Sequence, residues 1–164
     1  MESVYQVRVE GIRFDAAHFA TFGGECEPLH GHSYEVAVEV EGALGEDGWV
    51  IDFRELRHIL RRIVSGLDHR FLLQRKSRLI EIEEGSPNWA IRTPTGLSYA
   101  FPASDVVALP IDNSTAERLA EWFTGRVWEE IKARNAQNVA AIAIEVSEGP
   151  AQKATYRRIC LPDS

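Results

Sequence analysis

The sequence has little of what several protein classes require. Only two cysteines occur in 164 residues, and no apolar run is long enough to cross a bilayer. Basic residues are outnumbered by acidic ones, 18 to 25, and the net charge of −7 argues against broad contact with nucleic acid or an anionic membrane. The first residues also lack the basic and apolar regions of a signal peptide. We therefore expect a cytoplasmic protein with unpaired thiols and with neither nucleic-acid nor membrane partners.

Length and composition indicate one domain. The chain has 45% hydrophobic and 26% charged residues, and no repeat, low-complexity tract or linker divides it. We therefore expect residues 1–164 to form a single domain that is long enough to bury its own core.

Hydrophobic periodicity predicts the order strand, strand, helix, insertion, helix, strand, strand. The first strand changes phase at Gly11, which indicates a bulge. Asp52 and Ser114 stand where helix N-caps are expected, because each is followed three residues later by a glutamate and then by an amphipathic run. Between the helices, residues 74–112 alternate in short pieces separated by glycine and proline. We predict a small β-rich insertion there.

Three histidines have the spacing of a metal site. His30 and His32 open an alternating run, so a strand at this point sends both imidazoles to one face. His18 follows the first strand with the parity of its inward-facing residues and is the natural third ligand. Three neutral imidazoles suit tetrahedral zinc with a fourth position open to water or substrate, which is the arrangement of a catalytic site. The alternative is three surface or core histidines without a metal.

Four further residues carry groups that are either chemically reactive or unfavourable to bury. Cys26 lies four residues before His30, where it could act on a zinc-bound substrate as base or nucleophile, or close the site as a fourth ligand. Asp68 and His69 could form a carboxylate–imidazole pair that moves a proton, although such a dipeptide also occurs on ordinary surfaces. Glu148 has the parity of the apolar residues in a late strand. A carboxylate there needs a partner, because an unpaired buried charge is costly.

Taken together, these motifs resemble the 6-pyruvoyl-tetrahydropterin synthase and 6-carboxy-tetrahydropterin synthase family. The motifs occur in the family's order and leave out only the insertion; they are Phe14-Asp15-Ala16-Ala17-His18, C-x-x-x-H-G-H at residues 26–32, Gly48-Trp49-Val50-Ile51-Asp52-Phe53, Leu67-Asp68-His69, Thr115-x-Glu117-x-Leu119-Ala120, and Glu148 eight residues before Tyr156. The resemblance implies the α+β T-fold, a four-stranded antiparallel sheet with two helices on one face. It also implies a homo-oligomer in which trimers stack as hexamers.

The resemblance implies a site and a reaction as well. It implies Zn²⁺ on the three histidines and Cys26 as the proton-abstracting thiol, with Asp68 and His69 as its partner dyad. Glu148 would anchor the pterin, whose 2-amino and N3–H groups can both donate to one carboxylate. The implied substrate is 7,8-dihydroneopterin triphosphate. The three-residue gap between Cys26 and His30 resembles the branch that makes 6-carboxy-5,6,7,8-tetrahydropterin for the queuosine pathway.

Two departures from the family pattern leave alternatives open. Glu27 directly follows Cys26, and a glutamate at that place resembles variants that cleave the side chain to 6-hydroxymethyl-dihydropterin for folate synthesis. Glu27 could equally be a solvated loop acid. The insertion at residues 74–112 replaces a short connection. We expect the 6-carboxy synthase first; the alternatives are the folate-branch lyase or a dual activity, and a non-catalytic T-fold protein that binds pterin or purine.

Overall fold

The structure, a computed structural model, describes residues 3–134 and 136–160. Over those residues it contains eleven strands and two α-helices. In chain order they are β1 (Tyr5–His18), β2 (Thr21–Phe22), β3 (Glu25–Cys26), β4 (His30–Gly42), α1 (Phe53–Ser65), β5 (Arg70–Gln74), β6 (Glu81–Glu83), β7 (Asn88–Arg92), β8 (Ser98–Pro102), β9 (Val106–Leu109), α2 (Ala116–Lys132), β10 (Val139–Gly149) and β11 (Gln152–Ile159).

The main sheet is mixed and has six strands in the order β11-β10-β4-β1-β5-β9. Adjacent strands among the first four run antiparallel, as predicted, and β5 and β9 extend the sheet beyond β1 by parallel pairing. The short strand expected near Val106 is therefore confirmed as β9. Strand β5 was not predicted, because Phe71 to Gln74 are all buried and show no alternation.

A bulge at Gly11 sets the phase of β1. The pairing of β1 with β4 shifts between Val9 and Ile12, and Gly11 has a φ of +76°, which glycine adopts without steric cost. Beyond the shift, alternate residues of β1 face the core and are buried, starting with Ile12. The bulge is confirmed, and it brings His18 onto the core face.

The two helices cover one face of the sheet and bury a single apolar core with it. Helix α1 begins after Asp52, whose side chain accepts from the Arg54 N–H at 2.7 Å, as predicted. Helix α2 begins one residue later than predicted, because Thr115 rather than Ser114 is its N-cap and accepts from the Arg118 N–H at 3.3 Å. No helix among the described residues has both the length and the apolar character needed to span a membrane.

The predicted insertion forms a separate three-stranded sheet, β6-β7-β8. Its apolar face packs on the side of β5 that the helices leave uncovered. The resulting second core consists of residues from β5, the insertion and the segment after β1, namely Phe19, Phe71, Leu73, Ile80, Trp89 and Ile91. This second core lies next to the loop that carries Cys26, so the insertion supports one wall of that loop.

Candidate active site

Three histidines meet where β1 and β4 run past the start of α2. His18 is paired directly with His30 across the two strands, and His32 is paired with Ala16. Residues two apart in a strand point to the same side, so all three rings share the helix-covered face. His18 is 1% exposed, whereas His30 and His32 are half-buried. The structure thus brings together the three histidines predicted to bind metal.

The spacing of the imidazole nitrogens fits a tetrahedral metal ion. The Nε2 atom of His30 lies 3.2 Å from Nε2 of His18 and 3.1 Å from Nε2 of His32. Zinc bound to nitrogen at about 2.0–2.1 Å places tetrahedral ligand atoms about 3.3 Å apart. Both distances are close to that value, and the three ligand atoms all lie within 4.8 Å of one another.

Hydrogen bonds to backbone carbonyls fix two of the tautomers. Nδ1 of His18 lies 2.8 Å from the Ser114 carbonyl oxygen, and Nδ1 of His30 lies 2.7 Å from that of Pro28. A carbonyl oxygen only accepts, so each Nδ1 carries the proton and donates it. The two Nε2 lone pairs consequently face each other, which is unfavourable without a cation between them. Oriented Nε2 atoms backed by such bonds are typical of metal-bound histidines.

Protonation of His18 does not relieve this arrangement at neutral pH. Burial lowers the pKa of His18 to about 4; the hydrogen bond to Ser114 opposes the shift, and the neighbouring His30 and His32 add to it. His18 is therefore neutral near pH 7, with its lone pair available. The donor set, three neutral imidazoles, suits zinc better than the harder magnesium or calcium ions.

A pocket of about 600 Å³ opens over the histidines, and its other charged lining residues are three glutamates and Lys153. Its wall includes Glu27, Glu117 and Glu148. Glu148 lies at the end of β10, where the pairing with β11 shifts between Ser147 and Gly149. Burial raises the pKa of Glu148, the carboxylates of Glu27 and Glu117 add to the rise, and the nearby histidines oppose it. A half-buried carboxylate in a pocket can accept two hydrogen bonds from a flat ligand.

Cys26 and Glu27 face opposite ways. The hairpin β2-β3 turns at Gly23 and Gly24, which both have positive φ, and it pairs Thr21 with Cys26. Successive side chains along an extended chain point to opposite sides, so only one of Cys26 and Glu27 can face the histidines. That residue is Glu27.

Glu27 contacts the metal-site region directly. Its Oε2 lies 4.0 Å from Nε2 of His30 and accepts from the Ala20 N–H at 3.3 Å. Cys26 instead packs against the second core, and burial raises the pKa of its thiol. A raised pKa disfavours the reactive thiolate.

Asp68 and His69 form the predicted pair but do not line the histidine pocket. Nδ1 of His69 lies 3.0 Å from Oδ1 of Asp68, and both side chains are solvent-accessible. The same carboxylate accepts from the Asp15 N–H at 2.9 Å; this bond is the main reason that the pKa of Asp68 is lowered, and the His69 side chain contributes less. Within the described part of the chain, no hydrogen bond joins the pair to Cys26 or to Glu27. His69 has a φ of +57°, an uncommon conformation for a residue with a side chain.

Three residues at the site were not predicted to act there. Ser114 supplies the carbonyl that orients His18, and its hydroxyl donates to the Phe19 carbonyl at 3.2 Å. Asn113 bonds the backbone of Thr21. Tyr34 is fully buried beside His32, with ring centroids 5.4 Å apart. Sequence offered one signal for the first two, because they directly precede the predicted helix start.

Fold and site together define an α+β protein with two helices on one face of a curled sheet and a three-histidine pocket at the strand ends. The sequence from residue 6 to residue 159 matches the family model described as 6-pyruvoyl tetrahydropterin synthase. The chain therefore belongs to that family, and its T-fold is the fold expected from the sequence motifs.

Individual relatives differ in what their names state. A Methanocaldococcus jannaschii protein, provisionally named 6-carboxy-5,6,7,8-tetrahydropterin synthase, is 32% identical over 149 residues, which cover 90% of this chain and 91% of the relative. A dihydroneopterin monophosphate aldolase from Pyrococcus furiosus is 44% identical over 59 residues, which cover 36% of this chain and 50% of that protein.

A solved structure matches the whole fold. It is the Plasmodium vivax 6-pyruvoyltetrahydropterin synthase in a form whose catalytic glutamate is replaced by alanine. The TM-score is 0.92 at 34% sequence identity, and the match covers 97% of this chain and 100% of that one. Because coverage is nearly complete, the insertion is part of the matched fold.

Proposed function

We propose that this chain is a zinc-dependent pterin lyase in which Glu27 is the catalytic base. Its substrate in this proposal is 7,8-dihydroneopterin triphosphate, which it cleaves to 6-hydroxymethyl-dihydropterin. One observation carries the choice: Glu27 lines the histidine pocket, whereas Cys26 packs into the second core. A catalytic glutamate in the Plasmodium vivax relative supports the same choice.

Each residue of the site has one role in the proposed reaction. Zinc held by His18, His30 and His32 would polarise the side-chain hydroxyls of the substrate. Glu148 accepts hydrogen bonds from the pterin ring and so orients the side chain toward Glu27. The Glu27 carboxylate takes the proton of the 2′-hydroxyl as the C1′–C2′ bond breaks. C2′ becomes the carbonyl carbon of a two-carbon aldehyde, the electron pair passes into the dihydropterin ring, and the carboxyl group returns the proton to C1′.

A second candidate is the 6-carboxy-tetrahydropterin synthase reaction, alone or as a second activity, with Cys26 as the base. The names of the archaeal relatives favour it. Cys26 is half-buried and adjacent to Glu27, so this reaction requires the loop to rotate until the thiol faces the histidines. The burial that raises the pKa of the thiol opposes this reaction.

We further propose that the protein acts as a homo-oligomer built from trimers, in the cytoplasm. The sheet ends in β11, whose Ile159 side chain is 64% exposed on an edge strand. Asp68 and His69 do not line the histidine pocket of their own chain, so they can take part in the reaction only where a second copy presents them to it. Light scattering tests this: a monomer at micromolar concentration would contradict it.

Product analysis tests the function. Purified protein is loaded with zinc and incubated with 7,8-dihydroneopterin triphosphate, and the pterins and aldehydes are separated by chromatography. The proposal predicts 6-hydroxymethyl-dihydropterin with a glycolaldehyde product. Acetaldehyde with 6-carboxy-tetrahydropterin would identify the second candidate instead. The absence of turnover would favour a non-catalytic pterin-binding protein. His32→Ala, which removes one zinc ligand, is the control for metal dependence.

A further inference from the structure

The loop that carries Glu27 is closed on itself by two hydrogen bonds. The Glu27 N–H donates to the Ala20 carbonyl at 2.9 Å, and the Ala20 N–H donates to the Glu27 carboxylate at 3.3 Å. Between these ends lies the hairpin β2-β3, whose tip is exposed: Phe22 is 87% exposed. The hairpin contributes four strand residues and no apolar cluster of its own, so its position depends on what holds it from outside.

Asn113 holds it. The Thr21 N–H donates to Oδ1 of Asn113 at 2.8 Å, and Nδ2 of Asn113 donates to the Thr21 carbonyl at 2.8 Å. This reciprocal pair fixes which end of the amide is oxygen. The Asn113 side chain thereby takes the place that the peptide of a neighbouring strand would occupy beside β2.

The same amide is also connected to the metal site, through Ser114. Oδ1 of Asn113 accepts a second hydrogen bond, from the Ser114 N–H at 3.0 Å. The carbonyl of Ser114 is the group that fixes the tautomer of His18. One side chain therefore ties the loop of the base to the residue that orients a metal ligand.

We propose that Asn113 is a positioning residue for the reaction, which keeps Glu27 in register with the three histidines. This inference rests on the proposed role of Glu27. In the contacts described above, Asn113 reaches none of the imidazole nitrogens proposed to bind zinc. Its effect on the reaction rate therefore passes through the hairpin. A displacement of the base by about 1 Å is enough to cost up to about 100-fold in rate.

The test is Asn113→Ala, with Asn138→Ala as the matched control. Asn138 is also half-buried and also clamps a loop, since its Nδ2 donates to the carbonyls of Ala43 at 2.8 Å and Val50 at 2.9 Å, away from the histidines. We expect Asn113→Ala to lower kcat about 10- to 100-fold while bound zinc stays equimolar. We expect the kcat of Asn138→Ala to stay near that of the parent protein.

Two further readouts separate positioning from general destabilisation. Amide hydrogen exchange over residues 21–27 is expected to quicken in Asn113→Ala and not in Asn138→Ala. In a Glu27→Ala background, Asn113→Ala is expected to cost almost nothing more, because its effect acts through that carboxylate. Equal kcat values or equal exchange in the two single variants would overturn the inference. If the parent protein shows no turnover, the proposed function fails, and exchange alone still decides whether Asn113 holds the loop.

Discussion

Zinc loading is expected to raise the melting temperature of this protein by about 8 °C when free zinc is 100 times its Kd. A ligand at that concentration stabilises the folded state by about 2.7 kcal/mol. An unfolding entropy of about 2.1 cal/mol/K per residue gives about 340 cal/mol/K for the 164 residues. The ratio of the two quantities is about 8 °C. The facing Nε2 atoms of His18 and His30, at 3.2 Å, are the structural reason to expect binding.

Differential scanning calorimetry in zinc buffers measures this shift. His32→Ala removes one of three ligands, and if its Kd rises about 100-fold the shift at the same free zinc falls to about 1 °C. His58→Ala is the matched control, because His58 is an exposed histidine on α1. A shift below about 1 °C in the parent protein would refute the metal site, and so would equal shifts in the two variants.

Three further predictions concern substitutions of single residues. In the zinc-free protein, Glu148→Gln is expected to raise the melting temperature at neutral pH, and it is also expected to weaken substrate binding. Because burial raises the pKa of Glu148, the stability that its protonated form contributes is present at low pH and is lost as pH rises through the folded-state pKa, so the gain over the parent protein should vanish below the ordinary glutamate pKa of about 4.3. His69→Gly is expected to leave the free energy of unfolding nearly unchanged, since it removes a left-handed backbone cost of about 1–2 kcal/mol and offsets it with chain entropy; denaturant unfolding measures this. Gly42→Ala is expected to cost about 1–3 kcal/mol in urea unfolding, because its Cβ would overlap the Asn138 carbonyl oxygen, whereas Gly45→Ala, with Trp49 O at 3.6 Å, should be nearly neutral.

Long periodic elements made most of the fold predictable from sequence. The bulge at Gly11, the strand that starts at His30 and the helix after Asp52 each have a local cause in residue type or spacing. Strand β5 has none, because its residues are buried on both faces and are defined by pairing with β1 and β9. The start of α2 was displaced by one residue because Ser114 bonds Phe19 and leaves the N-cap to Thr115.

The site, like the fold, could be predicted from the sequence only in part. Strand parity alone predicted that the three histidines share a face, and parity also drew attention to Glu148. The direction of Cys26 and Glu27 depends on how the hairpin β2-β3 is positioned, and its contacts include Asn113, about 90 residues away in the chain, and the second core. A hydrogen bond of such sequence separation leaves no local pattern.

The most direct test compares two neighbouring substitutions in the zinc-loaded protein. The rate of 6-hydroxymethyl-dihydropterin formation from 7,8-dihydroneopterin triphosphate is measured for Glu27→Ala and for Cys26→Ala. If Glu27 is the base that faces the histidines, its loss lowers that rate by about 100-fold or more, while Cys26→Ala stays close to the parent protein. A full rate in Glu27→Ala, with the loss in Cys26→Ala instead, would contradict the account.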